Sequence, residues 1–213
     1  MIAISTIELI SLLSVWMLEP RLPETLVELR KRGYVTAKVK PRDVGGYDIT
    51  FIESNVVAIK GSTYIQYNPG RRSISIGSSN VKELLFVFNE VESILKEKGS
   101  DPNKGALFYE LKVKAKAVGN RLVLRNRIET DDLLGVKLLA IPISFVAEDA
   151  DPNRAQWFHL DIRPIWTSWP NEKIHYEIIL VYRDDKDKLI KFLENIEEKL
   201  NEFLKRVFNK LIG

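Results

Sequence analysis

The chain has 213 residues, 45% hydrophobic and 29% charged, which is the balance of an ordinary soluble globular protein and not of a disordered one. A net charge of only +3 argues against the globally cationic surface of a general nucleic-acid binder. The absence of cysteine excludes disulfides, thiolate catalysis and cysteine metal sites, and two histidines are too few to suggest a zinc centre.

The N-terminal stretch 4–18 is apolar on several faces and stops at Glu19-Pro20, so it reads as a helix. It has no basic leader and no small-residue cleavage site. Glu8 sits in its middle and Ser and Thr recur through it, which points away from a stable membrane span. The expectation is a helix buried against the fold, in a cytoplasmic protein. A second helix is predicted over Pro23–Arg32, with proline in its first turn and Gly33 as its stop.

From Val35 the pattern switches to strands, at Val35–Lys40, Tyr47–Ile52, Val56–Lys60, Thr63–Tyr67 and Arg72–Ile76. Turn-rich segments such as Ser54-Asn55 and Asn68-Pro69-Gly70-Arg71 separate them. Leu84, Leu85, Phe88, Val91 and Leu95 then fall at helical spacing, with Asn80 as N-cap, Glu83 as its capping-box partner and Gly99 as the stop.

Residues 111–128 carry the strongest functional hint. Two period-2 runs flank Gly119-Asn120, a pair that tolerates the positive φ of a tight hairpin turn. In that hairpin Lys112 would face Arg127 and Lys114 would face Arg125. Lys112, Lys114, Lys116, Arg121, Arg125 and Arg127 would then share one face, and Leu111, Val113, Ala115, Leu122 and Leu124 the other. Opposed like charges are unfavourable in a sheet, so the cations call for an anionic partner, acidic neighbours or open solvent. The plainer reading is a solvated outer face, and no aromatic residue interleaves with the cations to stack on bases.

Further strands are expected at Val136–Val146, Trp157–Trp166 and Ile174–Arg183, followed by one long helix over Asp185–Leu211 with Leu189, Leu193, Ile196, Leu200, Phe203 and Val207 on its apolar stripe. His159, Asp161 and Arg163 alternate on one face of their strand. Pairing with the next strand brings Glu177 and His175 near Arg163 and Ile165. Such a cluster could serve acid–base chemistry, but a cross-strand charge network explains it more simply, and no nucleophile stands out beside it. Trp166 and Trp169 mark a hairpin tip suited to a partner, or folded back onto the protein. No phosphate-binding loop, dinucleotide fingerprint or metalloprotease motif occurs, so neither a cofactor nor a metal is expected.

The order of elements predicts an α+β fold: an antiparallel sheet packed on one face by helices, with a long C-terminal helix. The layout resembles the helix-grip arrangement and also the TATA-binding-protein-like saddle. The divisions 1–99 and 100–213 share the order strands then amphipathic helix, within one continuous domain or as a diverged duplication. Residues 84–97 match 189–202 at Leu84/Leu189, Glu92/Glu197, Leu95/Leu200 and Glu97/Glu202, a level of identity that composition alone can produce.

The functional expectation is a non-catalytic binding protein whose helix-covered sheet encloses an amphipathic or anionic small ligand. Leu111, Val113, Ala115, Leu122, Leu124 and Trp166 are the pocket candidates. The alternatives are nucleic-acid or acidic-partner binding through the basic face 112–127, and a structural role with homo-oligomer formation. The scarcity of Met and Gln beside abundant Lys, Arg and Glu is compatible with a thermophilic source.

Overall fold

The computed structural model describes residues 2–44, 46–120, 143–146, 156–168 and 171–212. Its centre is a pair of fifteen-residue antiparallel strands, β1 (Ile2–Trp16) and β8 (Ala106–Asn120). The helix expected at 4–18 is therefore a strand. Ile10, Leu12, Ser14 and Trp16 turn to the core, while Ser11, Leu13 and Val15 turn to the opposite face. A central strand flanked on both sides is apolar almost throughout, and periodicity alone cannot tell such a run from a buried helix.

After β1 the chain forms α1 (Leu22–Lys31), β2 (Val35–Thr36) and a separate hairpin, β3 (Lys38–Pro41) with β4 (Tyr47–Thr50). β5 (Val56–Lys60), β6 (Thr63–Asn68) and β7 (Ser73–Ser78) follow as a meander, then α2 (Val81–Glu97) and the single turn α3 (Pro102–Gly105). Asn80 caps α2 by accepting from the amides of Lys82 (2.9 Å) and Glu83 (3.2 Å). The reciprocal half of the expected capping box is absent. The Asn80 amide donates to Ser78 Oγ instead, and the Glu83 carboxylate accepts from Ser62.

The second half adds β9 (Ile143–Val146), β10 (Trp157–Pro164) and β11 (Lys173–Asp184). The long closing helix is two: α4 (Lys186–Glu194) and α5 (Ile196–Ile212), divided at Asn195, whose φ of −123° leaves the helical region. The apolar stripe continues across the break, with Leu189, Leu193, Ile196, Leu200 and Leu204 all buried.

Nine of the eleven described strands form one sheet in the order β2-β5-β6-β7-β1-β8-β11-β10-β9, and every neighbouring pair is antiparallel. α2 packs on β6, β7 and β1, α4 on β8 and β11, and α5 on β1, while α1 lies against α2. One continuous core results, shared by both halves of the chain and running from Leu26 and Phe88 through Leu12 and Leu111 to Leu180 and Leu200. No helix among the described residues is long and apolar enough to cross a membrane.

The hairpin expected at 111–128 does not form at Gly119-Asn120. β8 runs straight through both residues, and each of its edges is occupied, by β1 on one side and β11 on the other. Gly119 faces Ile2 across the ladder, where a Cβ would stand 2.7 Å from Ile2 Cβ and 2.8 Å from Ile2 Cα. Close strand approach, not a left-handed turn, is what requires this glycine. Arg121, Leu122, Leu124, Arg125 and Arg127 lie outside the described residues.

Candidate functional site

With the described helices on one side, the other side of the sheet, open among the described residues, is built from alternate residues of each strand. β6 contributes Tyr64 and Gln66, β7 contributes Ser73, Ser75 and Gly77, and β1 contributes Leu9, Ser11, Leu13 and Val15. Phe108, Glu110, Lys112, Lys114 and Lys116 follow on β8, then Glu177, Ile179, Val181 and Arg183 on β11, and Trp157, His159, Asp161 and Arg163 on β10. A Cβ at Gly77 would lie 2.3 Å from the ring of Tyr64, so the tyrosine folds flat over the glycine and leaves this part of the face low.

The lysines of β8 are each met by a carboxylate. Lys112 lies 3.1 Å from Glu110, Lys114 lies 2.9 Å from Glu177 and 3.7 Å from Glu8, and Lys116 pairs with Glu8. A register shift in β1 between Ile7 and Leu9 brings Glu8 to these lysines. The hydrogen bond from Lys116 and the charges of both lysines outweigh desolvation and hold the Glu8 carboxyl below its usual value. Glu177 in turn raises Lys114. The like-charge crowding expected from the hairpin is thus replaced by alternating charge across β1, β8 and β11.

Glu110 is nearly inaccessible at 5% exposure, although it lies on the open face. Its carboxylate accepts from Arg183 Nε at 2.5 Å. The Arg183 guanidinium lies 4.8 Å from the centre of the Phe108 ring and 5.2 Å from that of Trp157. Trp157 stacks on His159 with ring centroids 5.6 Å apart. An aromatic and cationic row therefore crosses β8, β11 and β10, built from residues 108, 157 and 183 that are far apart in sequence.

β10 and β11 pair in the expected register, with Arg163 opposite Glu177 and the Ile165 amide donating to the His175 carbonyl. Asp161 is the centre of the polar cluster. It accepts from Ser144 and Arg163 and lies 3.0 Å from His159 Nε2. Burial works to raise the Asp161 carboxyl, but the two hydrogen bonds and the neighbouring charges outweigh it and hold the group below the ordinary aspartate value. His175 is exposed and stands apart from this group, and Glu177 is engaged with Lys114.

Serine, histidine and aspartate are adjacent here, but not as a nucleophile relay. A relay needs the imidazole to bridge serine and carboxylate through its two different nitrogens. In this cluster one nitrogen, His159 Nε2, faces both Ser144 Oγ at 3.2 Å and Asp161, and the serine hydroxyl donates directly to the carboxylate. Among the described residues no group of three or more acidic or histidine side chains could hold a metal ion.

The arrangement has a pH signature. A depressed carboxyl stabilises the fold fully above its unfolded value, 3.8 for an aspartate, and loses that contribution as the pH falls through the lower folded value. The stability difference between the native protein and Asp161→Asn should therefore be present above that unfolded value and close as the pH falls below it. Denaturant titrations on both sides of that value check it, and a gap unchanged by acid would refute it.

Of the pocket candidates, Leu111, Val113 and Ala115 are fully buried in the continuous core and line none of the clefts described here. Trp166 is 62% exposed, on a short turn held by Ser168, whose hydroxyl donates to the Ile165 carbonyl and accepts from the His175 amide. Trp169 lies outside the described residues.

One cleft of about 700 Å³ opens at the end of β1, between the start of α1, the end of α2 and the β3–β4 hairpin. Near it the Glu19 carboxylate accepts from Tyr47 (2.7 Å) and Tyr67 (3.0 Å), and burial with this hydrogen bond pushes the Tyr67 phenol up to about 12. A second, of about 350 Å³, lies between β10 and α5.

Glu8, Glu110, Phe108, Trp157 and Arg183 are the site residues that sequence reasoning missed. The step of two from Trp157 to His159 was a usable signal for one of them. Comparison of the chain with family models, with curated proteins and with solved structures finds no match.

Proposed function

We propose that this protein is a non-catalytic binding protein that engages another protein through the sheet face on which none of the described helices packs. The observation that carries this reading is the composition of that face. Aliphatic Leu9, Leu13, Val15, Ile179 and Val181 and the Phe108–Arg183–Trp157 row lie among cations already matched by carboxylates. Tryptophan and arginine packed together, with a charge-balanced surround, are what the energetic centres of protein interfaces are built from.

Phosphate binding is less well supported, because it draws its energy from cations that release counterions, and these cations are paired within the protein. The layout is best read as TATA-binding-protein-like, not helix-grip. Each half begins with a long strand at the centre of the sheet, β1 or β8. Each half also returns by a strand beside it, β7 or β11, and ends in an amphipathic helix. That mirrored order supports a diverged duplication.

The test places a photo-crosslinking amino acid at Leu13, at Ile179 and, as a control on the helical side, at Val27. Irradiation in extracts of the source cells is expected to give a discrete, nuclease-resistant protein adduct from Leu13 and Ile179 and none from Val27. No adduct at either face position, or adducts removed by nuclease, would overturn the reading.

A further inference from the structure

Three half-buried phenylalanines converge on a cleft that the open-face reading does not use. Between β10 and α5, Phe158, Phe192 and Phe203 wall a space of about 350 Å³ with Leu160 and Leu200 as its buried floor. Phe203 lies 6.3 Å from Phe158 between ring centroids, and Phe192 meets Tyr182 edge-on at 5.4 Å. The cleft is of ligand-binding size, since small-molecule sites begin at about 300 Å³.

Its rim is not apolar. Lys199, Glu202 and Arg206 lie at successive turns along α5. Arg206 pairs with Glu202, which leaves Lys199 as the rim cation without an ion pair among the described residues. An apolar aromatic trough closed at one side by a single unmatched ammonium is complementary to a molecule with one long apolar chain and one negative head.

We propose that this cleft binds a single-chain amphipathic anion, a fatty carboxylate in chemical class, with its chain along Phe158, Phe192 and Phe203 and its head at Lys199. The chain removes aromatic surface from water, which gives affinity. The head group sets orientation, because the one ammonium among the described lining residues stands at the α5 rim. The site is separate from the open face, so its failure would leave the protein-binding reading standing, and the converse also holds.

The test is calorimetric titration with laurate and with dodecanol, which share the chain and differ in charge. Lys199→Glu is an exposed change on α5, and its circular-dichroism melt should match that of the native protein. The native protein is expected to take up one laurate saturably. Lys199→Glu should weaken laurate by about tenfold or more and leave dodecanol within about twofold. Failure of laurate to saturate, a stoichiometry of several per chain, or equal loss of both ligands in Lys199→Glu would overturn the proposal. So would laurate-dependent dimerisation in sedimentation, which would make the cleft a contact between copies.

Discussion

Leu111→Ala should lower the free energy of unfolding by about 3 kcal/mol, within the range of about 2–5 kcal/mol for deleting a fully buried leucine side chain. Leu111 is 0% exposed and sits in the central ladder between Leu12 of β1 and Tyr182 of β11. Neither long strand can shift to fill the void without breaking pairing on its other side, so little of the cost can relax away. The measurement is a urea or guanidinium unfolding curve, with the midpoint falling and the slope unchanged. A residue lining an empty ligand cavity would behave differently, because its truncation enlarges a space that already exists. A loss below about 1 kcal/mol would therefore return Leu111 to the ligand reading made from its strand pattern.

Glu110→Ala should cost about 2–4 kcal/mol, because it removes the nearly inaccessible carboxylate that meets a largely buried guanidinium at 2.5 Å. Glu110 is 5% exposed, and the side chain of Arg183 is 18% exposed. Glu110→Gln keeps an acceptor in place and should cost visibly less. Lys114→Ala, on the same strand and face, should scarcely move the curve, since its pairs with Glu177 and Glu8 are open to water. If Glu110→Ala and Lys114→Ala had equal effects, the 2.5 Å contact between Glu110 and Arg183 would be no more than a surface pair.

Much of the fold was legible because it is written in local pattern. The alternation of β6 and β7 and of β10 and β11, and the helical spacing from Leu84 to Leu95, each place one face inward without reference to anything distant. Even the pairing of Arg163 with Glu177 could be anticipated, because two strands joined by one loop have few registers that bury both apolar faces. The errors share a different cause. β1 is apolar because it is central, and centrality is a property of partners about 60 to 120 residues away. Gly119-Asn120 looks like a turn because glycine serves both tight turns and close strand contacts, and only the position of Ile2 decides which.

The candidate site divides in the same way. The basic residues of β8 were visible, and so was the His159–Asp161–Arg163 series on β10. Their meaning was not, because Glu8, Glu110 and Glu177 reach Lys112, Lys114 and Lys116 only through the register of β1, β8 and β11. A cation surface and a neutral mosaic have the same sequence on the central strand, and neighbouring strands make the difference.

An α+β class, most of the strand and helix boundaries, the side of β8 that lies in the core, and the lack of cysteine or a phosphate-loop motif are all readable from the residues in order. Those follow from side-chain period and residue type, which act over a few residues. Long-range pairing made β1 a strand, brought β1 and β8 together at the centre of the nine-stranded sheet among the described residues, and set a carboxylate against each of Lys112, Lys114 and Lys116. It also decided that an aromatic cleft opens beneath α5. These are consequences of long-range pairing, where burial is shared between segments, and no single segment carries the information that selects its partner.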